Sequence, residues 1–155
     1  MKPLNGIKVI DLTHMLAGPY AGMVIADLGA EVVKVEPLVH GEMARGLLKS
    51  DPDYSFKEFG AYFLTLNRNK KSVSLDLKSE EGLKVFYDLV KSADVVLNNF
   101  SAGVVKKLKV DFDSLKKINP RIITCSITGF GETGPHSARP AYDQIVQAYS
   151  GAMSI

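Results

Sequence analysis

Five short apolar runs rich in β-branched residues recur along the chain, and the stretches between them have a different rhythm. Ile7, Val9, Ile10 and Leu12 make the first run, and Val32, Val33 and Val35 the second. In Ser72 to Leu77, Val73, Leu75 and Leu77 alternate with polar residues. Val95 and Val96 centre the fourth run, Asp94 to Leu97, and Ile122 to Ile127 is the fifth. Each is long enough for one strand and too short for a buried helix. Between them the apolar spacing is helical. Met23, Val24 and Leu28 give a face to a helix over Tyr20 to Leu28, with Ala21 and Gly22 small enough for close packing. Pro19 suits its first turn and Gly29 its end. Leu83, Phe86, Tyr87 and Val90 give a stripe to a helix over Gly82 to Val90. Ser79 is its N-cap, and Glu80 and Glu81 favour its positive end. Short helices are predicted for Val104 to Leu108, for a segment capped by Asp111 or Asp113 and running to Ile118, and for Tyr142 to Tyr149. Phe56 to Leu66, dense in aromatic residues, is predicted as a short helix on the sheet edge. Pro37 to Ser55 has little periodicity, and a loop of that length in a compact domain is functional or disordered. Strands alternating with helices predict an open, mostly parallel α/β sheet.

In such a sheet ligands bind beyond the carboxyl ends of the strands. Those ends offer Thr13 to Gly18, Glu36 to Leu38, Asp76 to Lys78, Asn98 to Phe100 and Thr128 to Gly131. Apolar and amide groups there suit a flat heteroaromatic ring with a polar chain. Lys70, Lys71, Lys78, Lys106 and Lys107 are either solvated or placed to meet phosphates, as compact ammonium groups do. A dinucleotide-dependent oxidoreductase is the obvious alternative, with Glu36 where a ribose-binding acid belongs. The first loop argues against it. Only Gly18 precedes Pro19, so the G-x-G-x-x-G fingerprint is absent and a pyrophosphate loses its close backbone approach. Glu42 and Arg45 are expected to form a surface pair, with ligand contacts as the alternative.

Composition narrows the classes further. The 155 residues suffice for one domain with a core. A net charge of +2 gives no support for a nucleic-acid or membrane partner. No apolar run spans a bilayer, and no signal-peptide pattern opens the chain. The single cysteine, Cys125, excludes an internal disulfide and suits the cytoplasm. Inside an apolar run, it is expected to be a buried small residue rather than a nucleophile. His14, His40 and His136 are far apart and lack metal-ligand spacing, so no metal site is expected. Asp143, at a helix start, is read as a capping carboxylate before a catalytic one.

Several motifs in order resemble one family. They are Leu12-Thr13-His14 with Ala17-Gly18-Pro19, Leu28 to Glu36, Gly41-Glu42-x-x-Arg45 and Asn67 to Ser72. They continue with Leu75 to Lys78, Asn99-Phe100, Gly129-Phe130-Gly131-x-x-Gly134-Pro135, Tyr142-Asp143 and Ser150-Gly151-x-Met153-Ser154. The set resembles the N-terminal part of a class III coenzyme A transferase of the formyl-CoA transferase and carnitine CoA-transferase type. The resemblance implies a Rossmann-like CoA-binding domain, with helices on both faces, of which residues 1–155 are the first part. It implies CoA contacts at Leu16, Ala17, Pro37, Leu75, Asp76, Leu77, Lys78, Asn99, Phe100 and Ser101, with Lys107 near the phosphates. Ala141, Tyr142 and Asp143 would line the reacting end.

The substrates implied are an acyl-CoA thioester and a carboxylic acid, with no permanently bound cofactor and a homodimer for the full-length protein. Leu16 replaces a glutamine of the formyl-transferring branch and Pro37 an arginine. Ser101-Ala102-Gly103 replaces an Arg-Pro-Gly-like turn, so acyl specificity stays open. The racemase branch carries a histidine where Tyr142 stands. A phenol is a poor base at neutral pH, which favours acyl transfer over racemisation. The family's nucleophile is an aspartate downstream of the Ser-Gly-x-Met-Ser motif that forms a mixed anhydride with the acyl group. The sequence ends at Ile155, ahead of that aspartate. The expectation is a fragment or one half of a split enzyme, inactive alone. A CoA-binding module without catalysis is the other reading.

Overall fold

The computed structural model describes residues 2–155. The chain runs β1 (Lys8–Asp11), α1 (Ala17–Asp27), β2 (Glu31–Glu36), then a 3-10 turn at Met43–Gly46. A two-stranded hairpin, β3 (Ser55–Phe56) and β4 (Phe59–Gly60), leads into α2 (Ala61–Leu66) and β5 (Lys70–Ser74). There follow α3 (Glu80–Val90), β6 (Val95–Asn98), α4 (Val104–Lys107), α5 (Phe112–Leu115), β7 (Ile123–Ser126) and α6 (Asp143–Ser150). The main sheet has five strands in the order β5-β2-β1-β6-β7, all parallel. The order reverses between β1 and β6. That switch point is where a doubly wound sheet opens a crevice.

Both faces of the sheet are covered. Val9, Val32 and Leu97 pack with Ala26 and Ala30 of the α1 side. Ile10, Leu12, Val35 and Val96 pack on the opposite face with Phe86, Val90, Val110 and Leu115. Alternation along each strand divides the two cores, as the pleat requires. The Rossmann-like α/β expectation therefore holds, helices on both faces included.

The α3 start signals act as read: Ser79 Oγ accepts from the Gly82 N–H at 3.0 Å, and Glu80 and Glu81 lie in the first turn. Asp111, not Asp113, caps α5. Gly29 ends the α1 region at φ +107°, a conformation costly for other residues.

Several expectations are corrected. Phe56 to Leu66 is a hairpin followed by a helix of only six residues. Gly60 explains the break: a Cβ there would lie 1.7 Å from the Leu47 carbonyl oxygen. The third large strand ends at Ser74 rather than Leu77, because beyond the Leu75 N–H bond to the Glu36 carbonyl the neighbouring strand has ended. Helix α1 buries Gly18, Gly22, Met23 and Ala26, while Val24 and Leu28 are exposed. Its small residues make the contact, because the sheet beneath carries a layer of charged side chains. Cys125 is exposed, because β7 is an edge strand.

Gly22 shows how tight the α1 contact is. A Cβ there would stand 2.7 Å from Asp11 Oδ2 and 3.2 Å from Lys70 Nζ. In a free helix Gly→Ala stabilises by about 1 kcal/mol. Gly22→Ala is expected to lower the urea unfolding midpoint instead. Gly46→Ala, with open space around it, should leave the midpoint unchanged or raise it.

Candidate functional site

Towards the carboxyl ends of β1 and β2, beside the start of β5, the α1 face of the sheet turns from apolar to charged. Asp11 and Lys34 are register partners, and both are buried. Lys70 crosses to the same place: its ammonium donates to Asp11 Oδ2, the Pro19 carbonyl and Asn67 Oδ1, each at 2.8 Å. Its pKa is lowered, since burial outweighs the nearby Asp11 carboxylate. Lys70 is thus neither a solvated turn residue nor free for a phosphate. Lys71 is, by contrast, exposed and paired with Glu31.

Glu36 has a partner other than a ribose. Arg45 donates a two-pronged hydrogen bond to it, Nε to Oε2 and Nη2 to Oε1, both at 2.6 Å. The guanidinium also lies 3.9 Å from the Phe63 ring centroid. The expected Glu42–Arg45 surface pair is therefore corrected: Arg45 pairs with Glu36, and Glu42 is buried. Glu42 Oε1 caps the 3-10 turn through the Ala44 N–H at 3.0 Å, and its own N–H donates to Glu36 Oε2 at 2.9 Å. The long loop after β2 is thereby folded back onto the sheet edge.

The opposite face presents a cleft of about 420 Å³. Leu12, Val35, Leu75, Leu77 and Phe100 make its apolar walls, with His14, Pro37, Asp76 and Lys78 at polar positions. This brings together six of the residues expected at CoA: Pro37, Leu75, Asp76, Leu77, Lys78 and Phe100. They come from the ends of β2, β5 and β6. The His14 ring tilts against Phe100 with centroids 5.7 Å apart. Burial, aided by the Lys34 charge, lowers its pKa and so favours the neutral imidazole.

Other expected residues lie elsewhere. Leu16 and Ala17 are exposed at the start of α1, two and three residues beyond His14. Asn99 adjoins the cleft, but its amide is bonded to the His14 backbone. Ser101 lines a neighbouring cavity of about 380 Å³ with Asn98, Ser126 and Thr128. Lys107 is exposed on α4 outside both cavities. Ala141 packs on the glycine-rich loop, where a Cβ on Gly129 would lie 2.0 Å from its own Cβ. Tyr142 and Asp143 are exposed at the start of α6. Tyr142, not Asp143, is the N-cap residue, and Asp143 accepts from Gln147 one turn on.

Asp11 and Lys34 were not singled out from sequence, and Glu42 only as half of a surface pair. The available signal was a charge inside an apolar strand run, Asp11 between Ile10 and Leu12 and Lys34 between Val33 and Val35. Among the described residues no cluster could hold a metal ion, and no helix is long and apolar enough to cross a membrane.

A sequence profile described as CoA-transferase family III matches residues 4–155. A succinate–glutarate CoA-transferase of Agrobacterium fabrum is 45% identical over 99% of this chain and 39% of its own length. A formyl-CoA:oxalate CoA-transferase of Streptomyces coelicolor is 44% identical over 99% of this chain and 36% of its own. The crystal structure of a CAIB/BAIF family protein from Brucella suis superposes with a TM-score of 0.91 at 43% identity. It is covered over 40% of its chain by 99% of this one. The chain thus spans about two fifths of the length of these relatives.

Glu36 makes the platform sensitive to acid. Burial raises its pKa, but the Arg45 fork, the Ser72 hydroxyl and the Glu42 N–H outweigh it and hold it at about 2. The folded state therefore binds this proton more weakly than the unfolded chain, whose glutamate titrates near 4.5. The stabilisation is complete above that range and is lost as pH falls from it through about 2. Urea unfolding should show a gap between wild type and Glu36→Gln that is widest above about pH 5 and closes towards acid. A gap independent of pH contradicts the assignment.

Proposed function

The chain belongs to CoA-transferase family III, and from that premise we propose that it is the N-terminal, CoA-binding portion of an enzyme moving CoA from an acyl-CoA thioester to a carboxylic acid. The observation that carries the reading is the 420 Å³ cleft, where Pro37, Leu75 to Lys78 and Phe100 converge at the carboxyl ends of three strands. Its walls suit a flat apolar ring, and the Lys78 ammonium supplies charge for a phosphate. Leu16 and Ala17 lead from the adjacent loop into the first turn of α1, whose free N–H groups favour a polar or anionic group.

The chemistry proposed is attack of an aspartate carboxylate on the thioester carbon. The carbon–sulfur bond breaks, CoA leaves as the thiolate, and an aspartyl-acyl anhydride remains. The acceptor carboxylate then attacks the aspartyl carbonyl of the anhydride, and the donor acid leaves as its carboxylate. The CoA thiolate attacks the acceptor's carbonyl in the new anhydride, giving the acceptor's CoA thioester and the free aspartate. No residue of this sequence matches that nucleophile, so the role proposed for this chain is to bind and orient CoA, with no turnover alone. Ala141, Tyr142 and Asp143 would face the reacting end once the site is complete. Ser101 and Lys107 remain candidates for the outer part of CoA. A homodimer and a cytoplasmic location belong to the same reading of the full-length protein.

A second reading is one half of a split enzyme, whose partner would dock on exposed apolar residues of α6 and β7. Ile145, Val146 and Tyr149 form a stripe at helical spacing, and Ile123 is open on the edge strand. More polypeptide covering these surfaces, in the same chain or another, would complete the site. Mixing with a chain that carries the aspartate should restore transfer if the second reading holds.

Calorimetric titration tests the main reading. Saturable binding of CoA without binding of NAD is expected, and the reverse result would overturn it. Lys78→Ala should weaken CoA binding several-fold, about 1 kcal/mol. Lys91→Ala, beyond the far end of α3, should leave it unchanged.

A further inference from the structure

The loop joining β1 to α1 has no ladder partner over Thr13 to Met15, yet each of its next five backbone polar groups is held by a side chain. The Thr13 N–H donates to Asp11 Oδ1 at 2.8 Å, and the Thr13 carbonyl accepts from Lys34 Nζ at 2.6 Å. The His14 N–H donates to Asn99 Oδ1 and the His14 carbonyl accepts from Asn99 Nδ2, both at 2.8 Å. The Met15 N–H donates to Glu42 Oε1 at 2.7 Å. Asp11, Lys34 and Glu42 are buried. Met15 itself sits at φ +68°, the left-handed region. For a residue with a Cβ that conformation costs roughly 1–2 kcal/mol, and the loop would relax without these bonds.

We propose that Asn99 and Glu42 are positioning residues that clamp the His14–Met15 backbone, so setting where Leu16 and Ala17 stand and how the CoA cleft is shaped. This rests on the CoA-binding reading above. The Asn99 amide imitates a neighbouring strand across the switch point between β1 and β6, and both its ends are used on His14. It acts through the loop rather than as a ligand of CoA. Glu42 reaches the same loop from beyond β2, and is itself held by its N–H bond to Glu36. Loops from three strand ends are thus fixed to one another. The Phe100 ring, next to Asn99, and the His14 ring line the cleft on either side of the clamp.

Glu42→Ala and Asn99→Ala should each weaken CoA binding about tenfold by calorimetry. Glu42→Gln keeps an acceptor for the Met15 and Ala44 N–H groups and should restore affinity to within about twofold. Hydrogen exchange supplies a readout independent of CoA. In Glu42→Ala the Met15 amide should exchange at least about tenfold faster, while Val96 and Leu97 in the central sheet keep their protection. Unchanged CoA affinity in both alanine variants overturns the proposal, as does unchanged exchange at Met15. Loss of protection at Val96 and Leu97 as well would mean global destabilisation and also count against it. Failure of wild type to bind CoA overturns the functional reading instead and takes the role towards CoA with it, whereas the exchange data still decide the clamp.

Discussion

The Asp11 carboxylate is the constraint on which the rest of the structure depends. It lies fully buried at the end of the central strand and accepts from Thr13 on one oxygen and from Lys70 on the other, with Lys34 Nζ 4.0 Å away. Moving these charges out of water costs several kcal/mol each. They are tolerated because each has a partner and because Lys70 satisfies three acceptors at once. Removing one partner would leave a buried charge alone, which is why the group acts as a unit. It ties the end of β1 to the start of β5 and to the first turn of α1. Helix α1 has to approach closely over this layer, and it does so through Gly18 and Gly22, where larger residues would displace Thr13 or Asp11.

The Glu36–Arg45 pair repeats the device one strand further out. The loop after β2 leaves the sheet, makes one 3-10 turn and is held by that pair and by Glu42. A charged platform on the α1 face therefore supports loops that wall an apolar cleft on the other face. Separating the two has a physical basis. The charges are locked in mutual hydrogen bonds and do not compete for a ligand, while the cleft keeps the apolar area that binds one. The same separation explains why the lysines nearest the sheet differ in use, with Lys70 structural and Lys78 open to the cleft.

Much of this was legible in the residues alone. Periodicity located the large strands and α3, and the absent glycines before Pro19 turned the reading away from a dinucleotide. The ordered motifs identified the family, because they are local and survive in sequence order. Where local signals met tertiary demands they failed. Phe56 to Leu66 carries helical residues, but Gly60 must pass against the Leu47 carbonyl, and a hairpin results. Cys125 lies in an apolar run, and only the strand order reveals that this run forms an edge.

By itself, then, the sequence determined the fold class, the family and the strand ends from which a ligand site is drawn, since pattern and motif are properties of neighbouring residues. The tertiary structure alone decided which charges are paired. Asp11 with Lys70, Glu36 with Arg45 and Asn99 with His14 are contacts between segments distant in the chain or across a folded-back loop. No spacing rule encodes them. Burial makes an unpaired charge or backbone group too costly, and the fold settles which partner is within reach.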